Sequence, residues 1–170
     1  PPRRGPRSKV RVRRRKKGTR ANLILKADKL WADLVKWKGI CEFSKEGLFP
    51  DAYPHECWGP HQAQHGISRR KFGTRWILLN GFEGCQRSHA YWGHHQELWG
   101  LLLAEAWGPL VAEEMARLAN MKLMIHLETI IYSLERVSGQ ERTDIHAKVL
   151  ALRPEIKETT LPNPVVVGWY

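Results

Sequence analysis

The sequence predicts a mainly α protein, with an antiparallel helical hairpin core, a basic N-terminal arm and long irregular extensions. Three observations predict this. Apolar residues recur at three- and four-residue steps in residues 22–38 and again through residues 95–137, the spacing that lines one face of a helix. Between residues 40 and 93 that period is lost, and Gly, Pro and His are frequent. Finally, the net charge is confined to the start of the chain. Residues 1–20 hold eleven of the 28 Lys+Arg and none of the 17 Asp+Glu, so the rest carries 17 of each and is neutral.

Residues 1–20 form the arm: Arg3, Arg4, Arg7, Lys9, Arg11, Arg13, Arg14, Arg15, Lys16, Lys17 and Arg20, interrupted by Pro1, Pro2, Gly5, Pro6 and Gly18. Such a segment repels itself and has no apolar surface to bury, so it needs a polyanionic partner to become ordered. Residues 21–39 read as an amphipathic helix. Leu23, Ile24, Ala27, Leu30, Trp31, Leu34 and Val35 form its apolar face, Lys26, Lys29, Asp33 and Lys36 its wet face, and Gly39 its stop. Residues 40–93 read as an irregular extension laid on another molecule, because so long a stretch without structure is uncommon inside a self-contained domain. Within it, Trp76 to Leu79 suits a short strand or a single helical turn.

Residues 94–153 hold the expected core. His95, Leu98, Trp99, Leu102, Leu103 and Ala106 mark a first helix, which Gly108-Pro109 breaks or kinks. Pro109 then opens a second, from Leu110 through Val137, stopped by Ser138-Gly139. A shorter helix is expected from Thr143, read as its cap, to Leu152. Residues 154–170 are Pro-flanked and β-branched, hence an extended tail.

The chain has 170 residues, enough for one domain with a core. Its eight Trp, four Tyr and four Phe supply large contact surfaces. No apolar run approaches the roughly 20 residues that cross a bilayer, so no membrane span is expected. Cys41, Cys57 and Cys85 are three, widely spaced and in no CxxC pair, which argues for free thiols in a reducing compartment. An Arg-rich, acid-free start also suits an organellar protein whose transit peptide precedes Pro1.

His55, Cys57, His61, His65, Cys85, His89, His94 and His95 cluster in sequence, and the run His55-x-Cys57-x3-His61-x3-His65 raises the question of zinc. Without a paired Cys knuckle, the reading favours histidines that stack and hydrogen-bond beside phosphates, with no metal and no cofactor. His94-His95 next to Glu97 offers a metal-dependent nuclease its base and carboxylate, yet these residues open an amphipathic helix, where polar groups cap and solvate. Gly81-Phe82-Glu83-Gly84 lacks the Lys-Ser/Thr ending of a phosphate-cradling loop. No catalytic residue is therefore expected, and the chain reads as a non-enzyme. The positive signal is nucleic-acid contact, from the arm and from a second cluster, Arg69, Arg70, Lys71 and Arg75, interleaved with Phe72 and Trp76.

Residues 73–137 resemble the mitochondrial form of large-subunit ribosomal protein L-twenty-nine. Gly73-Thr74-Arg75-Trp76 is similar to the family's opening. Leu98-Trp99-Gly100-Leu101-Leu102-Leu103-Ala104-Glu105 is similar to its first helix, and Ala112 to Leu118 with Leu134-Glu135-Arg136 to its continuation. Upstream, Gly39-Ile40-Cys41-Glu42-Phe43 resembles the family's entry. The register departs at His94-His95, and Gly108-Pro109 interrupts where the family has continuous helix. The resemblance implies a structural constituent of a mitochondrial large ribosomal subunit in the matrix. It implies binding to rRNA near the peptide exit beside neighbouring ribosomal proteins such as L-twenty-three, without catalysis. An accessory subunit of a membrane-bound respiratory or ATP synthase assembly, its arm on anionic lipid, is the alternative expectation.

Overall fold

The helix read over residues 21–39 is α1, Arg20–Val35, and its start is set by Thr19. That residue holds an extended backbone, and its hydroxyl accepts from the Asn22 N–H at 3.4 Å, satisfying one of the donors a helix N-terminus leaves open. Ala27, Trp31 and Val35, four residues apart, are the buried line along its face. Gly39, with φ of +66°, lies in the turn that follows and not at the cap itself. This computed structural model describes residues 18–121 and 126–151. The arm from Pro1 to Lys17 and the tail read over residues 154–170 lie outside the described residues.

The stretch expected to be irregular contains a small hairpin and a helix. Strand β1, Gln62–His65, pairs antiparallel with β2, Gly81–Gly84, in the register Gln62 to Gly84 and His65 to Gly81. A single 3-10 turn over Leu78–Asn80 leads into β2, in line with the helical turn read around Trp76 to Leu79. Gly81 is required where it stands, since a Cβ there would collide with Val35 and Trp31 of α1. Helix α2, Gln86–His94, follows β2 directly.

Helix α3, Gln96–Asn120, bends at Gly108, whose φ of 72° and ψ of 166° lie outside any helix; Pro109 then begins the second segment. The expected continuation to Val137 does not occur. Met121 is extended at φ −70° and ψ 136°, and a separate helix α4 spans Leu127–Arg136. A helix does stop just before Ser138, since α4 ends at Arg136, but Ser138 also starts the next one. Its Oγ accepts from the Glu141 N–H at 3.2 Å while Glu141 Oε2 accepts from the Ser138 N–H at 2.5 Å, a reciprocal capping box that opens α5, Gly139–Ala151, ahead of the Thr143 start read from sequence.

The architecture is mainly helical, with five helices and one two-stranded sheet among the described residues. No described helix is long and apolar enough to cross a membrane. Helix α4 packs along α1, burying Leu127, Ile131 and Leu134 against Ala27, Trp31 and Val35, with Lys26 bonded to Glu135 at 2.7 Å across the rim. A second core is aromatic. Phe43, Phe49, Phe82, Trp92, Trp99 and Trp107 meet between the hairpin, α2 and α3, in mostly tilted and edge-on pairs 5.2–6.4 Å between centroids. Each fully buried ring contributes on the order of 2–3 kcal/mol from area alone. Arg142 of α5 reaches under the hairpin to bond Glu42, and donates to the Gly81 carbonyl at 3.1 Å, tying the C-terminal helix to both neighbours of the aromatic core.

Candidate nucleic-acid interface and a thiol-imidazole cluster

Two features stand on the hairpin, one at each end of β2. The first is the loop from Gly66 to Asn80. Asn80 is fully buried and holds the loop's ends together: its Oδ1 accepts from the Ile67 N–H at 2.6 Å, and its Nδ2 donates to the carbonyls of Ile67 at 3.0 Å and Thr74 at 3.1 Å. Trp99 of α3 donates to the Gly66 carbonyl at 3.0 Å, and Trp31 of α1 to that of Ile77 at 3.1 Å. The loop's base is thus anchored to both cores.

Its tip carries the basic cluster read from sequence, and the four cations there have different jobs. Arg69, Arg70 and Lys71 are exposed on a tight turn closed by the Lys71 N–H to Ser68 carbonyl bond of 2.9 Å; Lys71 Nζ also donates to Asn120 at 3.1 Å. Arg75 is turned inward. It grips Asp28 of α1 through Nε at 2.9 Å and Nη2 at 2.7 Å, with its side chain 13% exposed, and Trp76 Nε1 donates to the same carboxylate at 2.9 Å. Burial pushes the Asp28 carboxyl up, but the bonds from Arg75 and Trp76 outweigh it and hold the group below its ordinary range. Arg75 is therefore first a strut of the fold.

Arg20, the last residue of the basic arm and the first of α1, places its guanidinium 5.9 Å from the centroid of Phe72; Arg75 stands 5.2 Å from the same ring. Arg20 and Arg75, one from each basic segment of the sequence, therefore meet at one aromatic side chain. Arg3 to Lys17 lie outside the described residues.

His65, at the end of β1, stacks on Trp31 at 3.9 Å and 17°, and its Nε2 bonds the Arg75 carbonyl at 3.0 Å. Burial, with the nearby charges of Arg75 and Arg69, outweighs the carbonyl bond and pulls its imidazole down to about 4, so it is neutral at ordinary pH. His61 bonds the buried Glu83 at 2.8 Å, and His89 bonds Gln62. His95 lies 3.8 Å from Glu97 on an exposed edge.

The second feature lies at the other end of β2. Cys41 comes from the loop after α1, His55 and Cys57 from the loop before β1, and Cys85 from the N-cap of α2. Their donor atoms all lie within 4.8 Å of one another. His55 Nε2 is 3.7 Å from Cys41 Sγ, 3.2 Å from Cys85 Sγ and 3.8 Å from Cys57 Sγ. Cys41 and Cys85 are buried and Cys57 is exposed. The Ser88 N–H points at Cys85 Sγ at 3.4 Å, and Ser88 Oγ lies 3.5 Å from Cys41 Sγ.

Burial and the neighbouring sulfurs of Cys41 and Cys85 push the Cys57 thiol up to about 12. Burial also raises Cys85, but bonds from the Ser88 and Trp58 backbone N–H groups, Ser88 and His55 bring it down to about 6. One thiolate is favoured at the helix start, while further ionisation beside it is opposed by like charge. A cation at the centre removes that opposition. The donor set, three thiols and an imidazole, is the type that holds zinc. Sequence reading had weighed His55 and Cys57 with His61 and His65. The fold places His55 and Cys57 with Cys41 and Cys85, and sends His61 and His65 elsewhere. The one signal in the sequence was the His55-x-Cys57 pair, because its partners are 14 and 28 residues away.

Comparison with family models, with curated proteins and with solved structures finds no match for this chain.

Proposed function

We propose that the protein is a nucleic-acid-binding module that presents the Arg69–Lys71 turn and the basic arm together to a phosphate backbone. The observation that carries this is the convergence at Phe72: Arg20 at 5.9 Å and Arg75 at 5.2 Å join the start of α1 to the basic loop. Eleven cations in residues 1–20 on a neutral body give the binding its electrostatic term. Arg69 and Arg70 extend it with planar donors suited to phosphate and to stacking. In its most specific form the partner is rRNA in an organellar large ribosomal subunit, where basic side chains offset phosphate repulsion and the helical body offers a surface to neighbouring proteins. The resemblance of residues 73–137 to the L-twenty-nine family supports that form.

The test is binding of the full chain to structured RNA, to duplex DNA and to anionic vesicles over a range of salt. Binding to nucleic acid should weaken linearly in log K against log salt, and neutralising Arg69, Arg70 and Lys71 to Gln should make that slope shallower. A slope unchanged by the triple variant removes the loop from the interface. Preference for vesicles over RNA and DNA overturns the reading in favour of a membrane-associated subunit. For the ribosomal form, co-sedimentation with large subunits should be lost on RNase treatment.

A further inference from the structure

We propose that Cys41, His55, Cys57 and Cys85 bind one Zn²⁺ in a closed, four-coordinate structural site. The inference is independent of the nucleic-acid reading and stands on geometry. Zinc bonds of about 2.3 Å to sulfur and about 2.0–2.1 Å to nitrogen, set at tetrahedral angles, place a nitrogen about 3.6 Å from each sulfur. The three N to S separations of 3.7, 3.2 and 3.8 Å bracket that value. The four donors are mutually within 4.8 Å, so they enclose one centre and not a row.

The surroundings of the imidazole point the same way. His55 Nδ1 lies 2.5 Å from the Tyr53 carbonyl, which accepts only if Nδ1 carries the proton. Nε2 is then the bare nitrogen, and it is the atom aimed at the three sulfurs. Metal-bound histidines have this arrangement, with the far nitrogen donating to a carbonyl that fixes tautomer and ring plane. Tyr53 also stacks on the His55 ring at 4.7 Å and 17°, and on Tyr91 of α2 at 3.8 Å and 10°, which joins the imidazole to the helix that Cys85 caps. Bare core cysteines would explain Cys41 and Cys85, but not the exposed Cys57 turned toward them. A disulfide would use two sulfurs and leave the third and the imidazole without a purpose.

All four positions of a tetrahedron are taken by protein, so the site has no vacancy for water or substrate and is structural. It joins three segments that share no regular hydrogen bonding: the loop after α1, the loop before β1 and the start of α2. Residues 36–61 contain no helix or strand, and a bound zinc would add to the buried Phe43 and Phe49 and the Glu42 N–H to Glu83 carbonyl bond that already fix part of that stretch.

The experiment is metal analysis of the full-length protein purified from zinc-supplemented medium without chelator, followed by cobalt substitution. One zinc per chain is expected. The cobalt form should show the intense visible bands of a tetrahedral site and a near-ultraviolet thiolate-to-cobalt band. Cys57→Ser, chosen because Cys57 is exposed and leaves no core void, should lose zinc on brief chelator exposure while circular dichroism still reports a folded chain. His55→Ala should weaken retention likewise, and His94→Ala, at the exposed end of α2, should keep the full complement. Substoichiometric zinc in the wild type, an octahedral cobalt spectrum, retention in Cys57→Ser equal to wild type, or a disulfide among these cysteines each overturns the proposal.

Discussion

Replacing Asn80 by alanine should unlatch the basic loop, and the size of the effect follows from its three bonds. The Ile67 N–H loses its acceptor, and the Ile67 carbonyl loses the Asn80 donor. The Thr74 carbonyl is affected less, because it also accepts from the Ile77 N–H at 3.1 Å. Each stranded backbone group costs about 1–3 kcal/mol when it stays dry, so two of them and the vacated amide volume amount to roughly 3 kcal/mol. Against a stability of about 5–15 kcal/mol that is a large fraction. With a urea m-value near 2 kcal/mol/M, the midpoint should fall by about 1.5 M, read from tryptophan fluorescence. Asn80→Asp should be worse at neutral pH, since it keeps the acceptor for Ile67 but turns a carboxylate oxygen toward two carbonyls. Hydrogen exchange supplies the local readout, with protection of the Ile67 amide collapsing in both variants. A midpoint shift worth less than about 0.5 kcal/mol with Ile67 still protected would refute the assignment of Asn80 as the latch.

Acid should destabilise the fold between pH 6.5 and about 4. His65 is held neutral in the folded state down to about 4, whereas its unfolded form takes a proton near 6.5. The unfolded chain therefore binds more protons in that window, and stability falls by on the order of 1.4 kcal/mol per pH unit from this group as pH drops, a slope that a His65→Phe variant should lack in urea melts across pH. Asp28, whose folded carboxyl is depressed, adds a loss in the same direction at lower pH, so Asp28→Asn should flatten the acid limb while weakening the fold near neutrality. Arg142→Ala should cost about 3 kcal/mol, because it strips a buried carboxylate of its ion-pair partner; Arg142→Met with Glu42→Gln should recover much of it in thermal unfolding. Gly108→Ala should cost about 1–3 kcal/mol by calorimetry, since φ of 72° with ψ of 166° is a backbone region that only glycine adopts without strain.

The amphipathic helix near the start was legible because its period survives in the fold: Ala27, Trp31 and Val35 are the buried line that spacing predicts. The bend at Gly108-Pro109 was legible for the same local reason. The long helix read through Val137 was not, because an apolar stripe specifies a face and not a partner. The second part of that stripe is α4, which packs along α1. Ser138-Gly139 shows a different ambiguity. Ser and Gly mark either end of a helix; the stop is there, with α4 ending at Arg136, and only Glu141, three residues on, shows that Ser138 also opens the next helix. Arg75 could not be sorted from Arg69 and Arg70 by charge, since its partner Asp28 lies 47 residues earlier.

The Cys and His residues were the least legible for the same physical reason that makes them informative. Ligand motifs are recognisable when two donors fall within one turn, and here only His55 and Cys57 do. Cys41 and Cys85 are delivered by tertiary structure: the Glu42 N–H bonds the Glu83 carbonyl at 2.8 Å, which places Cys41 beside the end of β2. Strand β2 is four residues long, with Asn80 before it and Cys85 after it. The latch of the basic loop and Cys85 of the cluster are therefore joined by one short, fully buried strand whose backbone is paired along β1. A strand of that length cannot shift at one end while staying in register at the other, because a one-residue slip would turn Phe82 out of the aromatic core. The loop that carries Arg69 and Arg70 is held at its base by Asn80, Trp31 and Trp99, so its placement follows from the register of β2 and from both cores.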